Sequence, residues 1–276
     1  MNKLPVILLL REAYSFIWTR YSAFRLLAFP AIVILAIAET ALAAWGASVW
    51  EGLGPVADPP TPEQMEAANT MASVTAVHWL LSIALVVLFS VAWYRVCLVA
   101  TESPTIGSAY RWTMRHWRFV ISFLKVISLI FPAALLVGVL IIGIAGQGGS
   151  PDHIATTAWA PMMLIGTWLY ARFSLLFPAA SVDRDLTVGQ GWALTKGNGL
   201  SLLLITFLAA APGFVAVYIV LQLKFLMDVE SLSLGLLFSL AIQFCNFVAI
   251  GAGVTILALA YDRLSRKLPA RMPIDV

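Results

Sequence analysis

Residues 200–223 read LSLLLITFLAAAPGFVAVYIVLQL, without one charged side chain. A bilayer core of ~30 Å takes roughly 20 apolar residues in a helix, and this run is long enough. Five more long apolar runs, each with at most two charged side chains, lie elsewhere in the chain, at about 24–46, 77–100, 119–145, 157–180 and 235–261. They are continuous rather than alternating, which argues against a membrane β-barrel. The sequence therefore predicts an all-α integral membrane protein with six transmembrane helices, in a single membrane domain over 1–276.

Composition agrees. Of the 276 residues, 61% are hydrophobic and 11% charged. A soluble domain has about 45–50% apolar and about 25% charged residues, so this chain cannot cover a water-facing surface. That excludes a soluble enzyme, and disorder with it. The formal charge of +3 is too small for a nucleic-acid partner. Cys97 and Cys245 lie in apolar runs and read as small hydrophobes rather than as a disulfide or metal pair. The opening MNKLPVILLLREAY stops being apolar at Arg11 and has no small-residue cleavage site after it, unlike a removable signal peptide.

Cations set the expected orientation. Lys3, Arg11, Arg20 and Arg25 precede or open the first run. Arg95, Arg111, Arg115, Arg118 and Lys125 flank the second connection. Arg172, Arg184 and Lys196 flank the fourth, and Arg263, Arg266, Lys267 and Arg271 follow the last run. These are 16 of the 17 cations, and only Lys224 falls on the other side. Both termini are expected to be cytoplasmic. Glu51, Asp58, Glu63, Glu66, Asp152, Asp228 and Glu230 make the far side acidic. There, Thr61-Pro62-Glu63-Gln64 reads as a capping box, which starts the second helix near Pro62, outside the membrane.

A two-span unit recurs three times, over about 1–100, 101–185 and 186–276, and the three units are parallel. Each opens with an aromatic segment: Ala13–Trp18, Ala109–Thr113 and Gly191–Thr195. A span with a proline follows, at Pro30, Pro132 or Pro212, where a lost backbone donor kinks the helix. Each second span ends at a tyrosine near an arginine: Tyr94-Arg95, Tyr170-Ala171-Arg172 and Tyr261-Asp262-Arg263. The aromatic segments read as cytoplasmic interfacial helices. In the second, Arg111, Arg115 and Arg118 share one helical face, with Trp117 on another. That pattern places guanidinium groups on lipid phosphates and rings at the boundary. With Lys196, these are the candidates for binding a lipid headgroup.

Inside the spans, Glu39 is the most informative residue. An insertion cost of ~2.5–3.5 kcal/mol for a carboxylate at the bilayer centre means that Glu39 faces the interior, is protonated or lies near the outer interface. Snorkelling to the outer surface is the leading expectation, with His78, on the same side, a candidate partner. Gln243 and Asn246, three apart, read as an interhelical hydrogen-bonding face. The histidines His78, His116 and His153 are scattered. No HExxH, GxSxG or phosphate-binding loop occurs. Glu102, Asp183, Asp185 and Asp262 do not have the spacing of a cation site. No enzyme, cofactor or metal is expected.

Three stretches carry a resemblance: Arg172-Phe173-Ser174-Leu175-Leu176-Phe177-Pro178, then Trp192-Ala193-Leu194-Thr195-Lys196-Gly197-Asn198, then Tyr261-Asp262-Arg263-Leu264. The pattern R-x-x-L-x-x-P…W-x-L-T-K-G-N…Y-x-x-L resembles the six-span membrane domain fused to some bacterial glycerophosphodiester phosphodiesterases, and its free-standing relatives. The resemblance implies a bacterial inner-membrane protein. It implies no hydrolase chemistry, because that activity belongs to a separate soluble barrel. The leading expectation is a non-enzymatic protein that binds anionic lipid or a partner protein through its cytoplasmic interfacial segments. One alternative is a small-solute or lipid transporter with a site near Glu39. Another is a subunit or assembly factor of a larger membrane complex.

Overall fold

The computed structural model describes residues 3–54, 59–99, 104–145, 151–227 and 231–266, with the side chains of 144–145 and 151–158 left out. Asp58, Glu102, Asp228, Glu230, Lys267, Arg271 and the side chains of Asp152 and His153 lie outside this description. In chain order the elements are α1 (Val6–Thr19), α2 (Tyr21–Leu53), α3 (Pro62–Leu98), α4 (Ile106–Ala109), α5 (Met114–Ala145), α6 (Pro151–Phe173), α7 (Leu176–Ser181), α8 (Val188–Leu194), α9 (Gly199–Leu226) and α10 (Leu232–Ser265). All are helices. Five of them, α2, α3, α5, α9 and α10, are long and apolar enough to cross a membrane.

Helix starts follow local chemistry. Thr61 accepts from the Gln64 N–H at 3.2 Å, and the Gln64 side chain accepts from the Thr61 N–H at 3.1 Å. This is the box expected from sequence, and α3 does begin at Pro62. The same reciprocal device opens α4 at Thr105 and α8 at Thr187.

Two expectations about helices fail. The run 157–180 is not one helix but breaks at Ser174-Leu175 into α6 and α7. Pro178 has no N–H to give the Ser174 carbonyl, and that carbonyl accepts instead from Phe177 at 3.2 Å, a tighter turn. Nor does one amphipathic helix run through Arg111, Arg115 and Arg118. The chain leaves α4 at Ala109 and restarts at Met114. At the restart, His116 Nδ1, in the first turn of α5, accepts from the Thr113 N–H at 3.0 Å. Charges spaced at helical intervals do not make a helix where a side chain offers the backbone another partner.

The long helices pack in sequence around the molecule: α2 on α3, α3 on α5, α5 on α6, α6 on α9, α9 on α10, and α10 back on α2. α10 also lies against α3, α1 and α7, so it is the central helix. The core sits where α2, α3 and α10 meet. Phe24, Phe89, Trp93 and Phe247 are all almost fully buried there, with ring centroids 5.1–6.2 Å apart. The Trp93 indole donates to Thr255 Oγ1 at 2.8 Å and to the Gly251 carbonyl at 3.2 Å. Between helices in lipid, packing and hydrogen bonds rather than water exclusion drive association. Small residues let the helices approach. A Cβ on Gly251 would lie 2.7 Å from Phe24 Cε2, and one on Gly213 would run into Ala249 and the Cys245 carbonyl. Cys97 and Cys245 are free and half-buried. α7 is buried at all six residues, wedged against α3, α5 and α10.

Pro30, Pro132, Pro161 and Pro212 lie inside α2, α5, α6 and α9. At two of them a tyrosine from another element reaches the loosened turn. The Tyr110 hydroxyl donates to the Leu27 carbonyl at 2.6 Å and accepts from the Ala31 N–H at 3.2 Å. It thus stands between a donor and an acceptor four residues apart in the helical ladder. The Tyr14 hydroxyl donates to the Ala209 carbonyl at 2.8 Å. Leu27 and Ala209 each lie three residues before the proline of their helix. Burial pushes the Tyr110 hydroxyl up to about 12, and that of Tyr14 up as well. Both therefore stay neutral donors at any physiological pH.

Candidate functional site

Arginine side chains collect at one end of the bundle, in three arrangements. The first is a clasp around Arg172 at the end of α6. Its side chain is buried, with Nη1 donating to the Thr195 carbonyl at 2.7 Å and Nη2 to the Trp192 carbonyl at 3.1 Å. The guanidinium lies 3.9 Å from the Trp192 ring centroid and 5.9 Å from that of Trp168, a desolvated cation–π contact. The Thr195 hydroxyl donates back to the Arg172 carbonyl at 3.1 Å. Gly197 has φ +78°, a left-handed turn that favours glycine. The Asn198 side chain accepts from the Leu4 N–H at 2.9 Å. Gly199 leaves room for the Arg172 stem, since a Cβ there would lie 2.9 Å from Cδ. The W-x-L-T-K-G-N stretch is thus a structural clasp in all but Lys196, which is exposed.

The second arrangement joins the end of α10 to α1. Arg263 pairs with Glu12 of α1, and Arg266 with Asp262 at 2.7 Å.

The third arrangement centres on Asp183, in the α7–α8 turn. Arg115 Nε lies 2.8 Å from its carboxylate, with Arg118 Nη1 and Arg95 Nη1 each at 3.5 Å. Arg95 Nη1 also donates to the Ser181 carbonyl at 3.3 Å. Asp183 has φ +61°, an uncommon conformation for a non-glycine residue. Beside it, between the last turns of α3 and the α4–α5 corner, is a cleft of about 440 Å³. Val91, Ala92 and Val96 line one wall, and Arg95, Arg111 and Arg115 carry its charge. Trp112 and Trp117 are exposed nearby, 5.5 Å apart edge to face, and Trp112 stacks on His116.

The sequence candidates fall as follows. Arg115 and Arg118 come together at Asp183, Arg111 and Arg115 at the cleft, and Trp117 beside them. Lys196 takes no part in the Asp183 cluster among the described residues. Glu39 is half-buried and accepts from Gln243 Nε2 at 3.0 Å. Its partner is thus Gln243 of α10 rather than His78, whose Nδ1 is buried without a hydrogen-bond partner among the described residues. Asn246 is half-buried. Asp183 and Arg95 were not expected as site residues. Asp183 lies 65 and 68 residues from Arg118 and Arg115 in the chain, and only the fold brings it to them and to Arg95. No group of three metal-ligating side chains occurs among the described residues.

Helix content, apolar faces and the arginine-rich end define the class: an all-helical, multi-pass membrane protein. No family model, curated protein or solved structure matches the chain.

Proposed function

We propose that the protein is a non-enzymatic bacterial inner-membrane protein that holds anionic lipid at its arginine-rich end, with that end and both termini cytoplasmic. In this reading α6, with 23 residues, is the sixth span. The six spans form three parallel units, and α1, α4 and α8 mark the interfacial segments. The packing order supports the units, because each second span meets the first span of the next unit and α10 returns to α2. So do the matched stretches Thr105-Ile106-Gly107-Ser108-Ala109-Tyr110 and Thr187-Val188-Gly189-Gln190-Gly191-Trp192, both opened by a capping box. The docking of Tyr14 and Tyr110, each three residues before a proline, is a third support. The inner-membrane location rests on the resemblance of the 171–264 region.

One observation carries lipid binding: Arg95, Arg115 and Arg118 gather beside exposed Trp112 and Trp117. Cations at the cytoplasmic leaflet attract anionic lipid by about 1 kcal/mol each, and tryptophan favours the headgroup level. The transporter alternative rests on Glu39, whose bond to Gln243 suits helix pairing. Native mass spectrometry of the purified protein tests the choice. Replacing Arg111, Arg115 and Arg118 together with glutamine lowers retained phosphatidylglycerol at least about tenfold. Unchanged retention overturns the reading.

A further inference from the structure

A general cationic surface and a built site differ in shape. The cleft beside the α4–α5 corner has the shape of a site. One wall, Val91, Ala92 and Val96, is apolar and belongs to a membrane-length helix. Arg95, at the end of that same helix, and Arg111 and Arg115 of the α4–α5 corner supply the guanidinium groups. Gly107 and Ser108, on α4, add small residues to the lining, and a Cβ on Gly107 would meet nothing within 4 Å. An anion with an apolar body matches both halves, whereas free inorganic phosphate matches only the charged half.

Asp183 adds a second element. It holds Arg115 at 2.8 Å and Arg95 at 3.5 Å, so two of the three cleft arginines are positioned by the protein itself. A preplaced guanidinium loses little rotamer freedom on binding an anion. Among the described residues Arg111 enters no ion pair, and it lies on the α4–α5 corner rather than on a helix. These roles divide naturally: Arg95 and Arg115 form a fixed seat and Arg111 a closing contact.

We propose that this cleft takes the phosphate and glycerol region of one anionic phospholipid, with the phosphate on Arg111 and Arg115 and the first acyl carbons along Val91–Val96. This rests on the lipid-binding reading and narrows it to one site. Trp112 and Trp117 flank the site at the level where glycerol esters lie.

The test uses the full chain in detergent with phosphatidylglycerol, read by native mass spectrometry, with a thermal melt as a folding control. Gly107→Trp fills the cleft and leaves every charge in place. Arg111→Gln removes one contact. Each lowers tightly retained phosphatidylglycerol about fivefold, while Lys196→Gln, outside the cleft, changes it less than twofold. Equimolar inorganic phosphate does not displace the lipid. If Gly107→Trp binds as well as the unaltered chain while the triple arginine variant does not, surface attraction stands and the cleft site is refuted. Full displacement by inorganic phosphate overturns the lipid assignment. A variant that melts early is replaced by Gly107→Leu, which fills less of the same cleft, keeps the α4 capping box and is read against the same two outcomes.

Discussion

Arg172 and Arg115 are the same residue type at the same end of the molecule, and their surroundings could hardly differ more. Arg172 is buried between Trp168 and Trp192, and its hydrogen bonds go to main-chain carbonyls. Arg115 is half-exposed, shares one carboxylate with two other arginines and opens on a cleft. Carbonyl partners have no net charge, cannot be traded for lipid phosphate and lie beneath rings. A shared, exposed carboxylate engages Arg115 through Nε and leaves the outer face of its guanidinium open to a phosphate. Burial and partner type, rather than charge, therefore separate an arginine that holds the fold from one that can meet a ligand.

Substitutions probe the contrast. Arg172→Ala strips the donors from two carbonyls and empties the space between two indoles. We expect a loss of about 3 kcal/mol or more in reversible unfolding from mixed micelles, and little recovery with Arg172→Lys, which cannot serve both carbonyls from a flat fork. A loss below about 1 kcal/mol would erase the contrast. Tyr110→Phe sits between the extremes. It removes a hydroxyl that bridges the Leu27 carbonyl and the Ala31 N–H, for about 1 kcal/mol and faster amide exchange at Ala31. Unaltered exchange there would mean that the turn around Pro30 holds itself. Asp183→Gly should matter least. The left-handed backbone at φ +61° suits glycine better, which offsets the loss of half-exposed ion pairs worth about 0–1 kcal/mol. Stability is expected to stay within about 0.5 kcal/mol. A large loss would make Asp183 structural, like the Arg172 clasp.

How much of this was legible beforehand depends on the range of the interaction. Five long helices were plain because charge is missing from runs of fixed length, and the start of α3 was plain because Thr61, Pro62 and Gln64 are adjacent. The break before α7 was not, although Pro178 marked it. An apolar run looks the same whether its carbonyls bond four or three residues on. The 109–118 segment was misread for a related reason: arginine spacing says nothing of the Thr113–His116 bond that starts a new helix at Met114. The Glu39 bond to Gln243 spans 204 residues and the Glu12 pairing with Arg263 spans 251. Such contacts depend on which helices become neighbours. Of the headgroup candidates, Arg111, Arg115, Arg118 and Trp117 do lie together, whereas Asp183, which pairs with Arg115 and Arg118, carries no local signal.

Sidedness is the premise beneath all of this, and cysteine labelling in intact membrane vesicles tests it most directly. With Cys97 and Cys245 replaced by serine, single cysteines at exposed Arg20, Lys196, Arg266 and Glu63 are treated with an impermeant maleimide. The first three should react from the cytoplasmic face alone and the fourth from the opposite face alone. Labelling of Arg20→Cys and Arg266→Cys from different faces would contradict the account.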